Sequence, residues 1–271
     1  MKRIVPTSCM IVVIAFACGC GGGSTSETPS SAVATNEDRL DGEHHSLATD
    51  PNREYFINAV GGPPHLKFVC IGELLSSDGN GNRTYQYYLD KELYEIMARH
   101  DFVGSQSVVC DGVTLKGEGY PKTRLSSLAE LVPNGLTDQN ADLAIIYAGQ
   151  QEIIDGIPAV RAVNQYRVLI EKLRRIDPEM QFFVGQIVVS PESPLHERAQ
   201  KFNKGLAELA SELSNEKSIV VAVDHTKGFD AKTMLNPDAQ SFSVEGIKHI
   251  AKGCAQTMFR TFWDKNGTGG Y

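Results

Sequence analysis

The feature that most constrains this chain is a repeated alternation of short apolar runs with longer segments that place apolar residues at helical spacing. Continuous apolar strands are typical of a parallel sheet that is buried on both faces. The alternation therefore predicts a three-layer α/β domain. The predicted strands are Leu66–Ile71, Phe102–Val103, Asp142–Tyr147, Gln181–Val189 and Ile219–Val223. The predicted helices are Thr84–Arg99, Lys122–Val132, Pro158–Arg175, Pro194–Ser214 and Ser243–Phe262.

The connection between the second strand and the second helix, residues 104–121, is rich in glycine, and we expect it to be a loop. In a parallel sheet, ligands bind at the carboxyl ends of the strands. Candidate binding residues should therefore follow each strand. No glycine-rich phosphate-binding pattern follows a strand, so we expect neither a nucleotide site nor a cofactor.

The amino terminus reads as an export signal over residues 1–19. Lys2 and Arg3 precede the apolar run Met10–Ala17, which is too short to span a bilayer. It is either an ordinary secretory signal or a lipoprotein signal, because Ala-Cys-Gly-Cys at 17–20 resembles a lipobox. In the second case Cys20 would be acylated, with Cys18 as the alternative, and the lipid would hold the protein at a membrane surface, in a periplasm or at the cell surface.

Residues 20–62 are rich in small and polar residues and predict a flexible tether, which leaves 63–266 as the folded domain. The net charge of −7 and the lack of a basic stripe argue against nucleic acid as a partner. Three cysteines fall in the domain, so at least one thiol must be free. Cys70 and Cys254 lie on apolar faces and should be buried. No cysteine or histidine spacing predicts a metal site.

Short blocks at the strand ends carry a family resemblance. They are VCIGEL at 69–74, DFVGSQ at 101–106, GEGYPK at 117–122, YAGQQE at 147–152 and DAQS at 238–241, the last followed by Glu245-Gly246. In this order and spacing, the region from about 66 to 263 resembles the SGNH (GDSL) hydrolase superfamily, and within it the carbohydrate esterases that deacetylate xylan. The resemblance implies a flavodoxin-like fold with a five-stranded parallel sheet and helices on both faces.

The resemblance also places the catalytic positions, and most of them have changed. Where the family has its nucleophilic serine this chain has Leu74, which cannot carry out acyl transfer. Where the family has its base histidine it has Ser241, which cannot take a proton at neutral pH. Asp238 keeps the position of the triad acid but has no imidazole to orient.

The oxyanion-hole positions have changed as well. The family uses the nucleophile's backbone N–H, a glycine N–H and an asparagine side chain, and these positions hold Leu74, Lys122 and Gln151. Backbone donors can persist, but the longer Gln151 side chain moves its amide by about an ångström. Glu73 and Glu152 replace aspartates that hold loops by hydrogen bonds, which is the role we favour. The alternative is a carboxylate cluster that binds a hard cation or sugar hydroxyls, formed by Glu73, Glu152, Asp224 and Asp238.

Neighbouring residues offer possible substitutes for the lost groups. Ser76 and Ser77 follow the nucleophile position, either as ordinary turn residues or as a displaced nucleophile. His225 follows the fifth strand and could reach the pocket rim, although a solvent-facing loop histidine is the favoured interpretation. His249 should face away from the pocket, and His65 should lie at the opposite end of the sheet. Four tyrosines of the first helix region either pack or stack on sugars, namely Tyr85, Tyr87, Tyr88 and Tyr94.

The sequence therefore predicts an exported SGNH-like domain without a working triad, a pseudo-hydrolase that binds a carbohydrate or an acylated glycan. One alternative is an active acyl-ester hydrolase that uses Ser76 or Ser77 with His225. Another is a scaffold lipoprotein whose pocket is filled by Leu74.

Overall fold

The computed structural model describes residues 65–72, 83–96, 100–237 and 241–262. Within them the strands are β1 Leu66–Gly72, β2 His100–Phe102, β3 Gln106–Cys110, β4 Val113–Gly119, β5 Leu143–Tyr147, β6 Gln181–Gly185 and β7 Val220–Val223. The helices are α1 Tyr85–Ile96, α2 Leu125–Leu136, α3 Gln150–Ile154, α4 Ala159–Ile176, α5 His196–Leu213, α6 Ala231–Met234 and α7 Val244–Phe262. All the predicted strands and helices occur, with bounds that differ by a few residues.

The sheet has the order β3-β4-β1-β5-β6-β7, and β2 also pairs with β1. β2 pairs with Leu66–Phe68, whereas β4 pairs with Ile71 and Gly72 along the same edge of β1. Apart from β3, which runs antiparallel to β4, these strands are parallel. β2 and β4 thus share one position in the sheet. The predicted α/β fold with a parallel sheet is confirmed, but the described residues form seven strands instead of the predicted five, and β3 is antiparallel.

The predicted loop over residues 104–121 is instead the β3–β4 hairpin, and this prediction was wrong. Its turn is Asp111-Gly112, both with positive φ (48° and 80°), between paired Cys110 and Val113. Asp-Gly between apolar residues is a strong hairpin signal, because this two-residue turn matches the twist of the strands. The glycines around it obscured that signal.

The core lies on both faces of the sheet. Phe68 to Gly72 of β1 are all buried, and because successive side chains point to opposite faces, both faces must be covered. Helices α1 and α7 pack together, while α2, α4 and α5 form a second packed group. α7 turns a stripe at helical spacing inward, with Ile247, Ile250, Cys254 and Met258 buried. This is the predicted three-layer arrangement.

The three cysteines of the domain are free thiols, and all are buried, as predicted for Cys70 and Cys254. Burial raises the pKa of both of those thiols. None of the helices in the described ranges has the length and apolar character needed to cross a membrane.

Candidate functional site

Two glycines of the motif blocks shape the carboxyl edge of the sheet. Gly72 ends β1 with φ +111°, and a Cβ there would lie 2.2 Å from the carbonyl oxygen of Tyr147. Gly104 has φ +150°, and its Cβ would lie 2.3 Å from the carbonyl oxygen of Gly117. Side chains are excluded at both places. The backbone at Gly72 therefore lies close to that at Tyr147, and the backbone at Gly104 lies close to that at Gly117.

Several predicted site residues lie outside the described residues. These are Glu73, Leu74, Ser76, Ser77 and Asp238, together with the predicted lipidation residue Cys20 and its alternative Cys18. Their roles stay predictions.

Lys122 is the residue predicted to stand at the oxyanion-hole glycine position. Its φ is 56°, in the left-handed region that favours glycine. The backbone thus has the conformation expected of a glycine position, although the residue is a lysine. Its side chain is exposed at the edge that β4 forms.

Gln151, at the predicted oxyanion-asparagine position, lies in the first turn of α3. Its Nε2 donates a hydrogen bond to Oδ1 of Asp155 at 2.8 Å. Oδ2 of Asp155 accepts from Nε of Arg124 at 2.8 Å. The Arg124 guanidinium, and after it the Gln151 amide, hold the pKa of Asp155 below its usual value. The side-chain amide of Gln151, which the sequence predicts as an oxyanion donor, therefore donates to Asp155, the residue that follows α3.

Glu152 lies next to it but points inward, with a residue exposure of 1%. Its Oε1 accepts from the backbone N–H of Leu125, the first residue of α2, at 2.7 Å. Oε2 has no hydrogen-bond partner in the described part of the chain. Burial raises the pKa of this carboxyl group. The hydrogen bond ties α3 to the start of α2, which supports the loop-holding role that we favoured.

Ser241, at the predicted base position, lies in the segment that leads into α7. Its Oγ accepts from Nδ2 of Asn236 at 2.9 Å, and its carbonyl oxygen accepts from the backbone N–H of Asn236 at 2.9 Å. A bridge between Leu235 and Phe242 closes this short turn. The base position therefore carries an exposed hydroxyl that belongs to a local turn.

His225 differs from the prediction of a solvent-facing loop residue, which was wrong. It is 2% exposed. Its ring lies between β6 and α7, where a Cβ on Gly185 would approach Nε2 to 2.9 Å and one on Gly253 would approach Nδ1 to 3.2 Å. These two glycines make room for the ring inside the protein. The sequence around His225 gave no hint of this burial, because Gly185 on β6 and Gly253 on α7 lie far from His225 along the chain.

The chemistry of His225 follows from this burial. Burial, and next the nearby His249, lower its pKa to about 3. Nδ1 has no hydrogen-bond partner among the described residues. His249 donates from Nε2 to the carbonyl oxygen of His225 (3.2 Å) and packs on Phe229. At neutral pH His225 is a neutral imidazole enclosed by the protein. Its pairing with Ser76 or Ser77 stays a prediction.

Glu118, in the GEGYPK block, holds the edge together and was not predicted as a site residue. It is fully buried and accepts hydrogen bonds from the backbone N–H of Ser105 (2.5 Å), from Oγ of Ser105 (3.1 Å) and from the Tyr120 hydroxyl (3.0 Å). It thus joins the DFVGSQ block to the end of β4. A glutamate between two glycines at a strand end was the available signal.

The predicted cation site includes Glu73 and Asp238, which lie outside the described residues, so it stays a prediction. The alternative of stacking on sugars gains no support at Tyr85, Tyr87 or Tyr88. Oδ1 of Asp224 accepts from the backbone N–H and the hydroxyl of Thr226, which makes it a turn residue. In the described ranges, no group of three or more metal-ligating side chains converges. Tyr85, Tyr87 and Tyr88 are buried and pack in the core. His65 pairs with Asp101 at the amino end of β1, as expected.

Together, the sheet order, the two packed helix layers and the motif blocks at the strand ends define the SGNH hydrolase fold. Solved structures agree with this assignment. A carbohydrate esterase of family 3 from Talaromyces cellulolyticus matches with a TM-score of 0.64 at 17% identity, over 72% of this chain and 97% of the esterase. A family 3 carbohydrate esterase from Clostridium thermocellum matches with a TM-score of 0.62 at 20% identity, over 73% and 98%.

An acetyl xylan esterase also matches, with a TM-score of 0.55 at 13% identity, over 71% of this chain and 99% of that one. Neither a protein-family model nor a curated protein sequence matches the chain. The likeness at these identities establishes the fold, and the predicted fold class is confirmed.

Proposed function

We propose that this protein is an exported, non-catalytic member of the SGNH fold that binds a carbohydrate or an acylated glycan at the carboxyl edge of its sheet. The observation that carries the proposal is the state of the base position. Ser241 is the residue predicted to stand there, and its hydroxyl accepts a hydrogen bond from Nδ2 of Asn236. A serine hydroxyl cannot act as a general base near neutral pH, because its proton affinity is far too low.

His225 is a poor substitute for the missing base. A general base works best when its pKa lies near the working pH. With a pKa of about 3, His225 would be a weak base even if substrate reached it. It is also enclosed by β6 and α7, so a proton on a bound water or hydroxyl would not meet its nitrogens without a rearrangement of the core.

The ligand class in this proposal comes from the solved neighbours, which are carbohydrate esterases and an acetyl xylan esterase. Binding a sugar requires shape, apolar surface and a few hydrogen-bonding groups, whereas ester cleavage also requires a nucleophile and a base. A chain with the esterase fold and altered proton-handling positions can therefore keep a surface that binds sugar while it lacks the groups that cleave the ester.

The proposed location is a membrane surface reached through acylation of Cys20, with Cys18 as the alternative acceptor. Metabolic labelling with a fatty-acid analogue tests this. We expect label in the mature protein, loss of label in one of Cys20→Ala and Cys18→Ala, and retention in the other. A mature protein without label would refute the anchor.

The catalytic part of the proposal is tested by p-nitrophenyl acetate hydrolysis with the purified protein and its Ser76→Ala and Ser77→Ala variants. We expect all three to show the same background rate. Turnover that disappears in either variant would refute the pseudo-hydrolase and favour the active hydrolase.

The binding part is tested by calorimetric titration with acetylated xylo-oligosaccharides and peptidoglycan fragments. Saturable binding is expected for at least one of them. Its absence for both would favour the scaffold interpretation.

A further inference from the structure

A cavity of about 280 Å³ lies between the start of α1 and the β3–β4 hairpin. Gly119 and Pro121 form part of its wall, and Gly119 pairs with Gly72, the last residue of β1. Lys122, at the oxyanion-glycine position, is the residue that follows Pro121. The cavity therefore adjoins the candidate site, although none of its lining residues occupies a triad or oxyanion position.

One polar side chain in the cavity wall is incompletely paired. Gln86, in the first turn of α1, is fully buried, and its Nε2 donates to the backbone carbonyl of Lys116 on β4. Its Oε1 has no hydrogen-bond partner within the described ranges. Buried amide oxygens are nearly always hydrogen-bonded, so this acceptor lacks a partner that it would normally have. Because Oε1 is itself buried, a ligand donor reaches it only when the side-chain amide turns toward the cavity.

The cavity wall near Gln86 is suited to apolar ligand atoms next to the hydrogen-bond donor. Val108 of β3 and Leu115 of β4 line the cavity, and Leu115 is buried. The cavity volume of about 280 Å³ lies just below the range of sites that hold drug-sized ligands, which starts at about 300 Å³. It therefore suits one sugar unit or one substituent, and an extended glycan would continue outside it along the sheet edge.

We propose that this cavity binds the N-acetyl group of an amino sugar. The methyl group would pack on Val108 and Leu115, and the amide N–H would donate to Oε1 of Gln86. The terminal torsion of a glutamine is broad, so its amide can adjust to meet the donor. An O-acetyl ester has no N–H and would leave Oε1 unpaired. This inference rests on the proposed glycan-binding function and names the ligand class for it.

The experiment compares two tetrasaccharides that differ in this substituent. Chitotetraose carries N-acetyl groups where cellotetraose carries hydroxyls. With the purified protein, calorimetric titration should show chitotetraose binding about tenfold more tightly or better, which is the effect of one well-placed hydrogen bond and a buried methyl group.

Two matched substitutions on β3 test whether the preference for chitotetraose arises in this cavity. Val108→Phe fills the cavity and should abolish the preference for chitotetraose. Val109→Phe adds the same volume to the neighbouring residue, which is 63% exposed and does not line the cavity, and should leave the preference unchanged. Gln86→Met keeps about the same side-chain volume but removes both the Oε1 acceptor and the Nε2 donor to Lys116, and it should weaken chitotetraose binding about tenfold in protein that melting shows to be folded.

Thermal melting of each variant shows whether it is folded. If Val108→Phe does not fold, Ser107→Trp at the exposed side of the same cavity replaces it. Equal affinity for the two sugars, or a preference that Val108→Phe leaves intact, would overturn the inference while the glycan-binding function stands. An absence of saturable binding to these sugars, to acetylated xylo-oligosaccharides and to peptidoglycan fragments would overturn both.

Discussion

Acidification should destabilise this protein through His225. Its pKa is lowered from 6.5 to about 3 in the folded protein, chiefly by burial and next by His249. The unfolded chain binds a proton at this side chain below about pH 6.5, whereas the folded protein does so only near pH 3. Between those values the unfolded state holds more protons, so the free energy of unfolding must fall as the pH falls.

The size of the effect follows from the two pKa values. At pH 7 the difference in protonation contributes almost nothing, and by pH 5 it reduces the free energy of unfolding by about 2 kcal/mol. For a domain of this size, that corresponds to a decrease in melting temperature of about 4–8 °C. Asp224 and His249 are the charged or titratable neighbours that influence His225, and Asp224 opposes the effect.

The assay is urea unfolding followed by circular dichroism at pH 7, 6 and 5, for the natural protein and for His225→Asn. At pH 7 the variant should be less stable, because the smaller side chain leaves a space between Gly185 and Gly253. Its stability should decline less on acidification, by about 2 kcal/mol between pH 7 and 5. Equal losses in both proteins would refute a buried, neutral His225.

Two further predictions concern the buried carboxylates at the sheet edge. Glu118→Ala removes the acceptor of three hydrogen bonds and should lower the free energy of unfolding by about 3 kcal/mol, or the melting temperature by about 6–12 °C. Glu130→Ala, which removes a 75% exposed partner of Lys172, is the control and should cost at most about 1 kcal/mol; equal losses in the two variants would contradict the role of Glu118. Glu152→Gln keeps the acceptor for Leu125 and should change stability by less than about 1 kcal/mol, whereas Glu152→Ala should cost about 1–2 kcal/mol. If chemical denaturation finds Gln as damaging as Ala, the charge of Glu152 matters more than its hydrogen bond.

The strands and helices were predictable because their apolar spacing is a local property. The β3–β4 hairpin was predictable in principle from Asp111-Gly112 but was hidden by the surrounding glycines. The burial of His225 was not predictable from the sequence around it, because it depends on Gly185 and Gly253, which reach it from β6 and α7. The cavity beside Gln86 is likewise formed by α1 and a hairpin that lie apart in sequence.

The groups that hold the carboxyl edge in shape differ from the groups that the family uses for chemistry. Gly72 and Gly104 allow the backbone contacts, and Glu118 and Glu152 join neighbouring segments by hydrogen bonds to buried carboxylates. Gln151 donates to Asp155, four residues away, and Ser241 accepts from Asn236, five residues away. The hydrogen bonds that Glu118 and Glu152 make with neighbouring segments do not involve either residue. A chain can therefore lose an esterase's proton-handling groups and still present the edge at which such a fold binds its ligand.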